Sequence, residues 1–240
     1  KELSSSFKLT ASGISKSSTG MKGLSRGNKL QHIPEGLEGY KPFIQSEICV
    51  GWIDWQTRGY DYADLADSCP FCTSQAADKK DQIKKVGQEY DKSIIRNLVA
   101  IIDAIKRLGD HFTEEAKDKL LTITTLKDGL KKEHEDYIVS VKRQIDNFVG
   151  KLEKLRTLSS FQFKEGENVA EKLASYELNL TYFSELNSEN TRNSIDPINK
   201  SIFAIIEKAG VLQGKINQQQ SEMSKMVRKH EKNINDFLSY

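Results

Sequence analysis

From Ala76 onward, apolar residues recur at alternating spacings of three and four, the interval that keeps one stripe on one face of an α-helix. The first run is Ile83, Val86, Tyr90, Ile94, Leu98, Ile101, Ile105 and Leu108. It stops at Gly109-Asp110, a helix-ending signal, and Thr113 followed by Glu114 and Glu115 restarts a helix. The second run is Leu130, His134, Tyr137, Val141, Ile145, Phe148, Leu152 and Leu155, with a break at Ser159–Gly166. A third is Val169, Leu173, Tyr176, Leu180 and Phe183, fading at Asn187–Ser194, with Pro197 suited to the first turn of the next helix. The last run is the most regular: Ile198, Ile202, Ile205, Ala209, Leu212, Ile216, Gln219, Met223, Met226, His230. A heptad sustained this long predicts a coiled coil, with Gln219 and His230 as polar residues that set its register.

Residues 75–240 are thus expected to form a long-helix coiled-coil domain. Two arrangements fit: four helices folded at each break into an antiparallel bundle, or one hairpin in which 76–158 ascend and 167–238 descend with a tip near Phe161. The matched arm lengths favour the hairpin, and the cap signals at Gly109 and Thr113 favour the bundle.

Residues 1–74 read differently, as a loop-rich unit. Between Leu3 and Gly27, 14 of 25 residues are Ser, Thr or Gly, a composition that predicts flexibility or a loop-rich edge. A strand at Ser6–Leu9 is weakly signalled. Aromatic and aliphatic content returns over 31–68, where Trp52 and Trp55 lie. A short helix near Pro42–Gln56 is expected, then a turn at Arg58-Gly59 and an extended segment into Cys69.

Composition agrees with solvated helices. The chain has 240 residues, 37% hydrophobic and 29% charged, with four prolines. A net charge of +2 demands no particular partner. The longest apolar runs, such as Leu98–Ile102, have five residues, against about 20 needed to span a bilayer, so no membrane partner is expected. Three cysteines, two of them as Cys-x-x-Cys, do not form a secreted disulfide framework, and the cytoplasm is the expected compartment.

The sharpest chemical feature is Cys69-Pro70-Phe71-Cys72. Two thiolates three positions apart in a tight turn can face one metal ion, and zinc takes four such ligands. The remaining donors would be Cys49 and His32, or the same motif on a second chain. A thiol–disulfide site and two unligated thiols are the alternatives, although no thioredoxin-like βαβ pattern surrounds the motif. No catalytic constellation is evident. His134 and His230 fall on helical stripes, His111 in an interhelical turn, and Cys49 among Ile48, Val50 and Trp52 reads as a core thiol. Gly13–Lys22 resembles a phosphate loop only superficially, because Met21 separates Gly20 from Lys22 and no Ser or Thr follows the lysine. The basic, Ser/Gly-rich opening offers sequence-independent affinity for phosphates at most, and a solvated loop is its plainer reading.

A Cys-Pro-Phe-Cys motif joined to heptad helices resembles the coiled-coil insertions of SMC-like ABC-type ATPases, among them the zinc-hook DNA-repair ATPases and related bacterial AAA-type phage-defence proteins. Tyr176–Leu186 and the final Phe237–Tyr240 resemble the return toward the head in that group. The resemblance implies a parent protein that binds ATP and acts on nucleic acid, in repair or phage defence. It also implies zinc at Cys69 and Cys72. In zinc hooks the motif lies between two long helices, whereas here all long helices follow it, so a knuckle at the base or side of the coiled coil is implied. Opening on Lys1 and lacking Walker motifs, the chain is expected to be a fragment without catalysis of its own. The competing expectation is a stand-alone helical module for self-association or for binding partner helices, unrelated to an ATPase. A helical toxin would need an apolar membrane hairpin, and the sequence contains none.

Overall fold

The Thr113 side chain accepts a hydrogen bond from the Ala116 N–H (3.2 Å), and the chain obeys that start signal as it obeys the stop at Gly109. The computed structural model describes residues 2–156 and 168–238. The chain is mainly helical, as the periodicity predicts. Its helices are α1 (Glu2–Ser5), α2 (Thr19–Leu24), α3 (Lys41–Ile44), α4 (Cys49–Tyr60), α5 (Lys80–Glu89), α6 (Lys92–Leu108), α7 (Glu114–Thr124), α8 (Lys132–Arg156), α9 (Val169–Ala174) and α10 (Glu189–Leu238). One small antiparallel hairpin, β1 (Leu9–Thr10) with β2 (Gly13–Ile14), lies between α1 and α2.

Residues 76–158, the ascending arm of the hairpin expectation, are not one helix. They are interrupted at Tyr90–Asp91, at Gly109–Thr113 and at Thr125–Lys131. The first interruption carried no glycine or proline to announce it. Tyr90 takes an extended conformation, and Asp91 caps α6 by accepting from the Ser93 and Ile94 N–H groups at 2.7 and 3.2 Å. Buried Tyr90 donates its hydroxyl to the Lys29 carbonyl (2.9 Å), which fixes the corner. The expected hairpin tip near Phe161 lies outside the described residues.

Other expectations need correction. The helix anticipated near 42–56 is two helices, α3 and α4, and the turn placed at Arg58-Gly59 lies inside α4. Gly59 serves a close approach instead: a Cβ there would sit 2.0 Å from the Phe71 ring. The third apolar run is α-helical only over α9, with a short 3-10 turn at Leu180–Tyr182. Beyond α9 the Asn199 side chain donates to the Leu178 carbonyl and accepts from its N–H, both at 3.0 Å, holding that segment out of a helical ladder. Finally, α10 begins eight residues before Pro197, which stands inside the helix rather than in its first turn.

The Ser/Gly-rich opening is also not the loop its composition suggests. Helix α2 packs on α6, and a Cβ at Gly23 would lie 2.8 Å from the Leu98 backbone nitrogen, so glycine permits backbone-to-backbone contact there. Gly27 (φ 73°) turns the chain beside Lys127, and Asn28 then ties it down, its N–H donating to the Leu126 carbonyl and its side chain to the Thr124 carbonyl, both at 2.7 Å.

The chain divides into two compact units, Lys1–Asn147 with Thr181–Glu189, and Phe148–Leu180 with Asn190–Tyr240. In the first, one core joins Leu37, Ile44, Cys49 and Ile53 to Val86, Tyr90 and Ile95, so α5 and α6 complete a core begun by residues 30–60. Leu3, Phe7, Leu24, Ile105, Ile123 and Ile145 surround a void of about 20 Å³, close to the volume one water needs. At its edge Lys142 donates to the Ser4 carbonyl (3.0 Å) and to Asp146 (2.8 Å), and the Ser4 hydroxyl also donates to Asp146. Segment 181–189 is held to the same unit through Glu185, whose carboxylate accepts from the Tyr137 hydroxyl (2.8 Å). Its N–H donates to Gln144 (3.0 Å), and its carbonyl accepts from the Thr113 N–H (2.9 Å). No described helix is long and apolar enough to cross a membrane.

Candidate functional site

Cys69 and Cys72 share one tight turn. The Thr73 N–H donates to the Cys69 carbonyl (2.9 Å) and the Cys69 N–H to the Ser74 carbonyl (2.7 Å), and an isolated bridge pairs Ser68 with Gln75. The Phe71 N–H points at the Cys69 sulfur (3.4 Å), and Thr73 adopts φ 60°. Left-handed backbone at a β-branched residue costs about 1–2 kcal/mol, so the surrounding bonds hold a shape the chain would not otherwise take. Phe71 anchors the turn by stacking on Trp55 of α4, ring centroids 4.0 Å apart, over the gap that Gly59 leaves.

The electrostatics separate the three thiols. Hydrogen bonds from the Ser74 hydroxyl and backbone, and from Cys69, hold the Cys72 thiol below its ordinary value, which favours the thiolate that metals bind. Burial pushes the Cys49 thiol up. Cys49 is in the first turn of α4 and buried in the core, as its neighbours suggested. His32 Nε2 lies 2.8 Å from the Thr125 carbonyl. Among the described residues no group of three or more His, Cys, Asp or Glu side chains comes together to hold a metal ion, so neither Cys49 nor His32 joins the Cys69–Cys72 pair. A zinc tetrahedron takes four donors, so one holding the Cys69 and Cys72 thiols would need two more from elsewhere.

The histidines gather into no site. His134 accepts from the Lys131 N–H (3.1 Å) at the start of α8, His111 closes the short 3-10 turn between α6 and α7, and His230 is exposed on α10.

The second candidate feature is α10 itself. Ile195 and Ile202 are buried and Ile198 half-buried, but from Val211 to Leu238 every described side chain is exposed. The apolar stripe continues through that exposed stretch: Leu212 and Met223 are 59% and 63% open to solvent and Phe237 83%. Single exposed apolar residues are ordinary, but a row of them at heptad spacing over 28 residues is a candidate interaction face. The sequence located the stripe and could not reveal that its described side chains stand exposed from Val211 to Leu238.

No family model matches the chain, and no curated protein or solved structure is significantly similar to it. What the fold and the exposed stripe define is a class, a mainly helical protein with an uncovered heptad face.

Proposed function

We propose that this chain is a non-catalytic helical interaction module whose working surface is the heptad face of α10, which takes a partner helix in a coiled coil. The observation that carries the reading is the exposure of every described side chain from Val211 to Leu238 alongside a heptad stripe that is apolar except at Gln219, His230 and Asn233. Burying that stripe against a second helix removes apolar area from water at about 25 cal/mol per Å², and four heptads is a sufficient length for a stable seam.

A designed peptide supplies the test. It carries Leu and Ile along its own seam and, opposite Lys215, Glu222, Lys229 and Asp236, the charges Glu, Lys, Glu and Lys. The full chain is expected to bind it at about micromolar or tighter, and a Leu212→Asp, Met223→Asp variant to lose that binding. Equal binding by the two would refute the reading.

The Cys69–Cys72 turn supports a second reading. Its paired sulfurs and the lowered Cys72 thiol suit half of a zinc site completed by another chain or segment, as in an SMC-like ATPase acting on nucleic acid in repair or phage defence. In that reading ATP belongs to the parent protein and the chain is cytoplasmic. Zinc content of the purified chain decides it: about one zinc per two chains or more in wild type and none in Cys69→Ser, Cys72→Ser is expected if two pairs share an ion. Near-zero zinc in both would end it.

A further inference from the structure

We infer that the partner of the α10 face is α10 of a second copy of this chain, running antiparallel in one register; this rests on the seam reading above and names its occupant. In heptad terms Ile202, Ala209, Ile216, Met223, His230 and Phe237 are a positions, and Ile205, Leu212, Gln219, Met226 and Asn233 are d positions. The two flanks of the seam then differ in kind. On the g side stand Lys208, Lys215, Glu222, Lys229 and Asp236; on the e side stand Ile206, Gln213, Gln220, Val227 and Ile234.

That asymmetry selects orientation. In a parallel pair g faces e of the partner, which sets Glu222 against Val227 and Lys229 against Ile234 and makes no ion pair. In an antiparallel pair g faces g and e faces e. The charged flanks then meet each other, and Val227 and Ile234 widen the apolar seam on the opposite side.

The charges also select register. With Met223 of one copy facing Met226 of the other, Glu222 meets the second copy's Lys229 and Lys215 meets its Asp236, each pair occurring twice by symmetry. A shift of one heptad either way sets like charges against one another. In one direction Glu222 meets Glu222 and Lys215 meets Lys229; in the other Lys229 meets Lys229 and Glu222 meets Asp236. A shift of two heptads toward the N-terminus pairs Glu222 with Lys215 but sets Lys208 against Lys229, and one toward the C-terminus leaves Lys229 with Asp236 as the sole kind of charge pair. Only the first register pairs Lys215, Glu222, Lys229 and Asp236 all with opposite charges.

Core layers agree with that choice from a separate direction. The same register places Gln219 of one copy opposite His230 of the other, so two polar seam residues share a layer instead of each facing an apolar side chain. Phe237 meets Leu212. Asn233 opposite Ile216 is the layer that mixes polar with apolar. The paired stretch, 211–238, is about 42 Å long at 1.5 Å per residue.

Sedimentation of the full chain tests the proposal, because every substituted side chain is exposed and a circular dichroism spectrum checks that the fold is retained. Wild type is expected to be a dimer at tens of micromolar. Glu222→Lys breaks two ion pairs and creates two repulsive contacts, and should weaken dimerisation by about tenfold. Adding Lys229→Glu to it restores opposite charges across the dimer and should return the constant to within about twofold of wild type. Residues 222 and 229 are two helical turns apart in one chain, so rescue reports contact between copies. A dimer that the double variant fails to rescue overturns the antiparallel register. A chain that stays monomeric yet binds the designed peptide overturns the second copy as occupant and leaves the seam itself standing.

Discussion

Asp91 and Asp146 show what single carboxylates do here. The Ser93 hydroxyl, assisted by backbone N–H groups at the start of α6, holds the Asp91 carboxyl below the usual carboxylate range. Burial works against the charge of Asp146, but hydrogen bonds from Lys142 and Ser4 outweigh it and hold that carboxyl low as well. A depressed folded-state value means these groups stabilise the fold fully above the unfolded value near about pH 4, and the contribution is lost as pH falls through the folded value. Asp91→Asn with Asp146→Asn should therefore lower the urea midpoint at neutral pH and flatten its fall between about pH 5 and pH 2. An unchanged acid limb in the double variant would contradict these assignments. Such residues are only partly legible in a sequence. Asp91 two positions before Ser93 is a capping signal that an unbroken apolar run overshadowed, and the Ser4–Lys142–Asp146 cluster joins positions nothing local connects.

Elements fail to match their sequence signals where glycine does two jobs. In a composition count Gly20, Gly23 and Gly27 resemble a flexible loop, yet Gly23 lets α2 lie against the backbone of α6 and Gly27 turns the chain beside Lys127. Gly23→Ala should destabilise the fold by about 1–2 kcal/mol, the overpacking cost less the gain in helix propensity. Gly51→Ala in α4, where a Cβ would meet nothing within 4 Å, should be neutral or slightly stabilising. Urea denaturation of both variants checks the contrast, and equal midpoints would contradict the close-packing account. The apolar spacing gave helices over most of 80–156 and all of 198–230 because spacings of three and four line up on one side of a helix whether or not that side is buried. It was blind to the corner at Tyr90–Asp91, since a stripe can cross a break without losing phase. Pro197 shows the limit in the other direction: a residue that normally opens a helix is carried inside one, at a cost of about 3 kcal/mol in an isolated helix.

For the molecule as a whole, the sequence predicted a long-helix protein and the structure is mainly helical, divided into two compact units. In the first unit the residues around Trp52 and the first apolar run find each other, so the aromatic segment needs Val86, Tyr90 and Ile95 to close its core. In the second, α10 keeps the most regular heptad of the chain and leaves it open from Val211 onward. Apolar side chains exposed over that length are costly in water, which is the support for proposing an interaction face on α10 ahead of any chemistry at Cys69 and Cys72. Hydrogen exchange over residues 211–238, at a chain concentration low enough to keep it monomeric, with and without the designed partner peptide, tests this most directly. The account predicts that the peptide slows exchange along this stretch by about a hundredfold or more and leaves the Leu212→Asp, Met223→Asp variant unchanged. Exchange equally fast with and without peptide in the wild-type chain would contradict it.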